Sequence, residues 1–78
     1  MAITFEIVKH LGVLSEYRNG FRKEINIVSW NNRNGKVDIR DWDEDHQRMR
    51  KGITLTKDEF EALRNLICDI DSDSLEIE

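Results

Sequence analysis

Apolar and polar residues alternate over four stretches of this chain, after which the spacing changes to that of a helix. Alternation with period two marks strands, and recurrence every three or four residues marks a helix. Residues 3–17 read as a first strand, with Phe5, Ile7, Leu11 and Val13 on one parity. Leu14, just after Gly12, breaks that parity, so Gly12 marks a bulge. Asn19-Gly20 is a hairpin signal. Residues 21–32 form a second strand whose Ile25 and Ile27 mark the inner face, and residues 36–43 a third marked by Val37 and Ile39. Met49–Leu55 is a fourth strand with Ile53 and Leu55 inward. Thr56-Lys-Asp-Glu59 has the capping-box pattern, and Phe60, Leu63, Leu66, Ile67 and Ile70 follow at helical spacing. This predicts a helix from about Lys57 to about Ile70, laid over the apolar face of the sheet. Four antiparallel strands with one covering helix leave the second sheet face open.

Two tryptophans fall on that second face. Trp30 shares parity with Arg22, Glu24 and Asn26, and Trp42 with Lys36, Asp38 and Arg40, because strand side chains alternate. The loop between the two strands decides whether both parities meet. A two-residue loop at Asn34-Gly35 would put Trp30 on the side of Ile39. A three-residue loop, Arg33-Asn34-Gly35, puts Trp30 opposite Asp38, with Gly35 in the left-handed position. That register joins Trp30, Trp42, Arg40 and Lys36 in one surface, and a one-residue slip would undo it.

The 78 residues make one small domain, 36% charged and 8% aromatic. A core of this size is marginal alone, and association is a common remedy. The net charge of −4 hides an asymmetry. Residues 1–51 hold ten Lys/Arg against eight Asp/Glu, and residues 52–78 hold two against eight. The expected division is a binding domain over residues 1–71 and an acidic C-terminal tail over residues 72–78. Cys68 is the one cysteine, so an internal disulfide is excluded. The first residues lack the basic and apolar regions of a signal peptide, and a cytoplasmic location, bacterial cytosol or nucleoid, is expected.

Three segments together resemble a known family. They are Gly35-Lys-Val-Asp-Ile-Arg-Asp-Trp42, Arg50-Lys-Gly-Ile-Thr-Leu-Thr-Lys-Asp-Glu-Phe60, and Leu63 through Ile70-Asp71. The likeness is to the C-terminal domain of transcriptional positive cofactor four, in particular to its short bacterial, YdbC-like members. It implies an α+β fold (β-β-β-β-α), with a strongly curved four-stranded antiparallel sheet followed by one C-terminal helix. It also implies a homodimer packed through the helices and neighbouring strands, and binding of single-stranded DNA across the strands. Lys36, Arg40, Arg50 and Lys51 fall on basic positions of the family pattern, and Trp42 on or next to an aromatic one. A role in transcription, replication or repair is the corresponding expectation.

Binding a single strand without sequence preference needs cations that track phosphates and aromatic faces that stack on bases. The nucleic-acid-binding candidates are therefore Trp30 and Trp42 for stacking, and Lys9, Arg22, Lys36, Arg40, Arg50 and Lys51 for phosphates. Asn32 joins them for polar contacts from the hairpin. Competing uses stand beside these. Arg40 can pair with Asp38 or Asp41, Trp42 can lie half buried under the Asp43–Arg48 loop, and the lysines can be plain solvated charges. The same Trp and Arg surface would also suit a protein-interaction module or single-stranded RNA. Asp69-Ile-Asp-Ser-Asp73 copies the start of a calcium loop, but Ser74 stands where glycine is required. The Asp41–His46 run reads as an acidic turn. No metal, cofactor, small-molecule substrate, membrane contact or catalytic activity is expected.

Overall fold

The computed structural model describes residues 3–75. Its elements are β1 (Phe5–Glu16), β2 (Arg22–Trp30), β3 (Lys36–Trp42), β4 (Met49–Leu55), α1 (Lys57–Cys68) and a 3₁₀ turn at Ser72–Ser74. Residues 76–78 of the acidic tail lie outside the described residues. The strands form an antiparallel meander in the order β1-β2-β3-β4.

Each junction has a local cause. Asn19-Gly20 makes the first turn: the Gly20 amide donates to the Tyr17 carbonyl at 3.1 Å, and Gly20 takes φ 89°. The Asn19 side chain also accepts from the Phe21 amide at 3.0 Å. The second turn does not stand at Arg33–Gly35. Asn31 and Asn32 both have left-handed backbone, φ 51° and 62°, and the Arg33 amide donates to the Trp30 carbonyl at 2.9 Å. Two successive left-handed residues make a mirror-image two-residue turn, which asparagine tolerates and which suits strand twist. The register then runs Val28 to Lys36, Asn26 to Asp38 and Glu24 to Arg40. Trp30, Arg40 and Trp42 still share one parity, because an irregularity between turn and ladder restores an even offset. Gly35 serves close packing instead of a positive φ: a Cβ there would crowd the Ile27 side chain.

At α1 the capping box is complete. The Thr56 hydroxyl accepts from the Glu59 amide at 3.2 Å, and the Glu59 carboxylate accepts from the Thr56 amide at 2.8 Å. The bond from the Thr56 amide, with help from the Thr56 hydroxyl and the charge of Lys36, holds the Glu59 carboxyl below its ordinary pKa against opposing desolvation.

Two further expectations are corrected. The sheet is not strongly curved or closed: it is open, with β1 and β4 as edges that do not pair. Three bulges in β1, between Ile7 and Lys9, His10 and Gly12, and Val13 and Ser15, bend and twist that edge and blunt it against further pairing. The second correction concerns which face is inside. The fully buried residues are Glu24, Asn26, Val28, Asp38 and Trp42, all on the parity assigned to the open face. Ile25, Ile27, Val37 and Ile39 are only half buried. Helix α1 touches β3 and β4 and buries none of its own residues. Ile53, Leu66, Ile67 and Ile70 stay more than half exposed. The helix follows the edge strand and contacts only β3 and β4, so the part of the apolar face on β1 and β2 is left without it.

Candidate nucleic-acid interface

On the even-numbered positions of β2 and β3, the buried carboxylates of Glu24 and Asp38 are paired by their neighbours. Asp38 accepts from both Nε and Nη2 of Arg40, at 2.6 and 2.7 Å, and from the Thr54 hydroxyl at 2.9 Å. A two-pronged guanidinium–carboxylate pair of this kind is geometrically specific and strong. Arg40 is thereby committed to Asp38, and its guanidinium lies 4.6 Å from the Trp30 ring centroid, within cation–π range. Glu24 is the second hub. It accepts from the Asn26 amide at 3.1 Å, lies 2.9 Å from His46 Nε2, and pairs with Arg22 at 3.1 Å. Burial pushes the Glu24 carboxyl upward, but the bonds from Asn26 and His46 and the charges of His46 and Arg22 outweigh it, and the pKa is lowered.

An aromatic cluster lies against these hubs. Phe5 stands 5.9 Å from Trp30 and 5.1 Å from Trp42, and His46 stands 5.7 Å from Trp42. The Asp43–Arg48 loop presents His46. Asp43 Oδ1 accepts from the Gln47 and Arg48 amides at 2.9 and 3.0 Å, and His46 takes a left-handed φ of 56°. The Arg48 amide bond is the main reason the Asp43 carboxyl is lowered, assisted after opposing desolvation by the Gln47 amide and by the charges of Arg48 and His46. The acidic run is therefore a self-capped turn.

The expected binding residues divide into groups. Trp42 is completely buried and offers no face for stacking in this conformation. Arg40, 13% exposed at its side chain, is a structural partner of Asp38 and Trp30. Trp30 and Arg22 are half buried on the same face, and Lys36 is exposed there beside Val28. Asn32 is exposed at the hairpin tip. Lys9 is exposed, but the bulge before it puts it in register with Ile27, on the other face. Arg50 and Lys51 are exposed at the irregularity of β4, with the Arg50 guanidinium 4.3 Å from the Phe21 ring. Phe5, His10, Asn26 and His46 were not among the expected residues. Asn26 was legible from parity; His10 and His46 were not, because a bulge and a loop turn set their direction.

Comparison with known proteins decides the family. The model of the family Transcriptional Coactivator p15 (PC4) matches residues 17–66. The chain belongs to that family. The match runs from the first hairpin through β4 into α1, so it spans both hubs and the aromatic cluster except for Phe5 and His10. An uncharacterized protein of Treponema pallidum (strain Nichols) is 44% identical over 63 residues, covering 81% of this chain and 74% of that protein. A coactivator family is one of binding proteins, and this PC4-family chain is not an enzyme. Among the described residues no helix is long and apolar enough to cross a membrane. Family membership and the exposed aromatic and basic positions are consistent with nucleic-acid binding in general.

Proposed function

We propose that this PC4-family chain binds single-stranded DNA largely without sequence preference and acts as a homodimer. The observation that carries the reading is the end of the β2–β3 hairpin. There a partly exposed Trp30, backed by the Arg40 guanidinium, lies near exposed Lys36 and Asn32. Trp30 supplies the stacking face, and Lys36, Arg50, Lys51, Arg22 and Lys9 the phosphate contacts. Trp42 and Arg40 hold that surface in place. Dimerisation is supported by the uncovered apolar side chains of Ile53, Leu66, Ile67 and Ile70, since contiguous exposed apolar surface marks an interaction site.

The test is anisotropy of labelled oligo-dT titrated with the protein over a range of salt. Binding is expected to weaken steeply with salt, with a log–log slope of about −0.7 per phosphate neutralised. Trp30→Ala is expected to cost about 1–3 kcal/mol of affinity, with a thermal melt confirming that the variant is folded at the temperature of the titration. Absence of binding at low salt rejects the reading. Tighter binding of oligo-U than of oligo-dT reassigns the ligand to RNA.

A further inference from the structure

His10, Arg22 and His46 line an open cleft of about 430 Å³, with Ile7 at its side. It adjoins the face already described, yet none of the stacking residues lines it. Behind these side chains sits the buried carboxylate of Glu24, which organises all three. Glu24 lies 3.6 Å from His10 Nδ1, 2.9 Å from His46 Nε2 and 3.1 Å from Arg22 Nη2.

The network fixes where the protons lie. A carboxylate only accepts, so Asn26 must turn its NH2 group toward Glu24. The Asn26 carbonyl oxygen then faces His10 Nδ1 at 2.7 Å, and that nitrogen must carry a proton. His46 Nε2 faces both Glu24 oxygens, at 2.9 and 3.1 Å, so it carries one too. The second nitrogen of each ring makes no hydrogen bond among the described residues. Each becomes a donor only when its ring takes up a second proton. Arg22 Nε is buried and has no hydrogen-bond partner among the described residues, a costly state for a donor.

Charge decides what such a cleft can take. With both imidazoles neutral, Glu24 cancels Arg22. The remaining charged groups nearby are Glu16, opposite Arg22 on β1, Glu44, which shares a neighbouring cleft with Arg22, and Asp43 beside His46, whose charge is offset by Arg48 at 3.6 Å. These carboxylates oppose an anion while the rings are neutral. With both rings protonated, three cations converge and every free nitrogen is a donor. We propose that this cleft is a phosphate subsite, taking one phosphate of the bound strand, and that protonation of His10 and His46 switches it on. The proposal rests on the single-strand reading above and adds to it a dependence on pH, since imidazole changes charge between pH 5 and 8.

The full chain is tested at fixed ionic strength at pH 6 and pH 8. Oligo-dT is expected to bind about tenfold tighter at pH 6, the equivalent of one proton-linked unit. In the double variant His10→Gln/His46→Asn the gain should fall below twofold. Asparagine is chosen at position 46 because it tolerates left-handed backbone. A thermal melt checks the fold, and the exposed His10→Gln alone decides, by a reduced gain, if the double variant does not fold. An undiminished gain in a folded variant, or none in the unsubstituted protein, overturns the subsite and leaves the single-strand reading standing. If oligo-dT binds at neither pH, that reading falls, and inorganic phosphate tests the cleft by itself. Saturable imidazole NMR shifts at pH 6 and not at pH 8 keep it as a phosphate site; no shift at pH 6 overturns it.

Discussion

The two faces of the sheet differ in an unexpected sense. The even-numbered face is polar in sequence and buried in the structure, while the odd-numbered face is apolar in sequence and half exposed. On the even face, Glu24, Asn26 and Asp38 have no accessible surface, yet each has hydrogen-bonded or ion-paired partners. Polar groups can be buried when their partners are buried with them. On the odd face, helix α1 reaches only β3 and β4, and Ile25, Ile27, Val37 and Ile39 are left half buried. Burial in this fold therefore follows side-chain bulk and mutual satisfaction. The aromatic rings and the arginine and histidine side chains fold over the even face, and the β-branched residues of the odd face are left half buried.

The contrast is most directly broken by truncation. Trp42→Ala on the even face should cost about 3–5 kcal/mol in denaturant unfolding, as expected for a buried large aromatic. A neutral result would mean that the even face opens in solution and that Trp42 is free to stack. Arg40→Ala follows, with an expected loss of about 3–5 kcal/mol, because it strands the buried Asp38 carboxylate without its guanidinium. Stability within error of the unsubstituted protein would mark the pair as a surface feature.

The odd face is sharpened by Leu66→Glu. Sedimentation should show a dimer for the unsubstituted chain and a monomer for the variant, with about 2 kcal/mol or more of association lost through a buried leucine. Dimerisation unchanged by this substitution would separate the apolar face from self-association. The smallest effect is in acid. The Glu24 pKa is lowered from its ordinary value of 4.5, so the folded state binds the proton less readily than the unfolded chain. Its stabilising share is then fully present above about pH 4.5 and is lost as the pH falls through the lower folded value. Glu24→Gln should flatten that part of the stability profile; an unchanged profile would assign the acid sensitivity to other carboxylates.

Much of the fold was legible in sequence. Alternation placed four strands, Thr56 and Glu59 placed the start of the helix, and Asn19-Gly20 placed the first turn. The second turn was misplaced because Asn31-Asn32 and Asn34-Gly35 are both turn-forming pairs, and the choice between them depends on how Gly35 packs beside Ile27. The site was legible in part. Trp30, Lys36 and Asn32 are accessible near one hairpin end, whereas Lys9 was moved to the opposite face by a bulge that local spacing does not announce. His10 and His46 come from distant segments and converge only through Glu24.

Parity in the sequence by itself determined which residues of β2 and β3 share a face, and local chemistry determined where the elements begin. It did not determine which face lies inside. Alternation is a relative statement: isoleucines mark a common face without showing that anything covers it. Only the tertiary structure decided it, because burial depends on how far each side chain reaches, on the ion pairs that make a buried carboxylate tolerable, and on which strands the helix packs against.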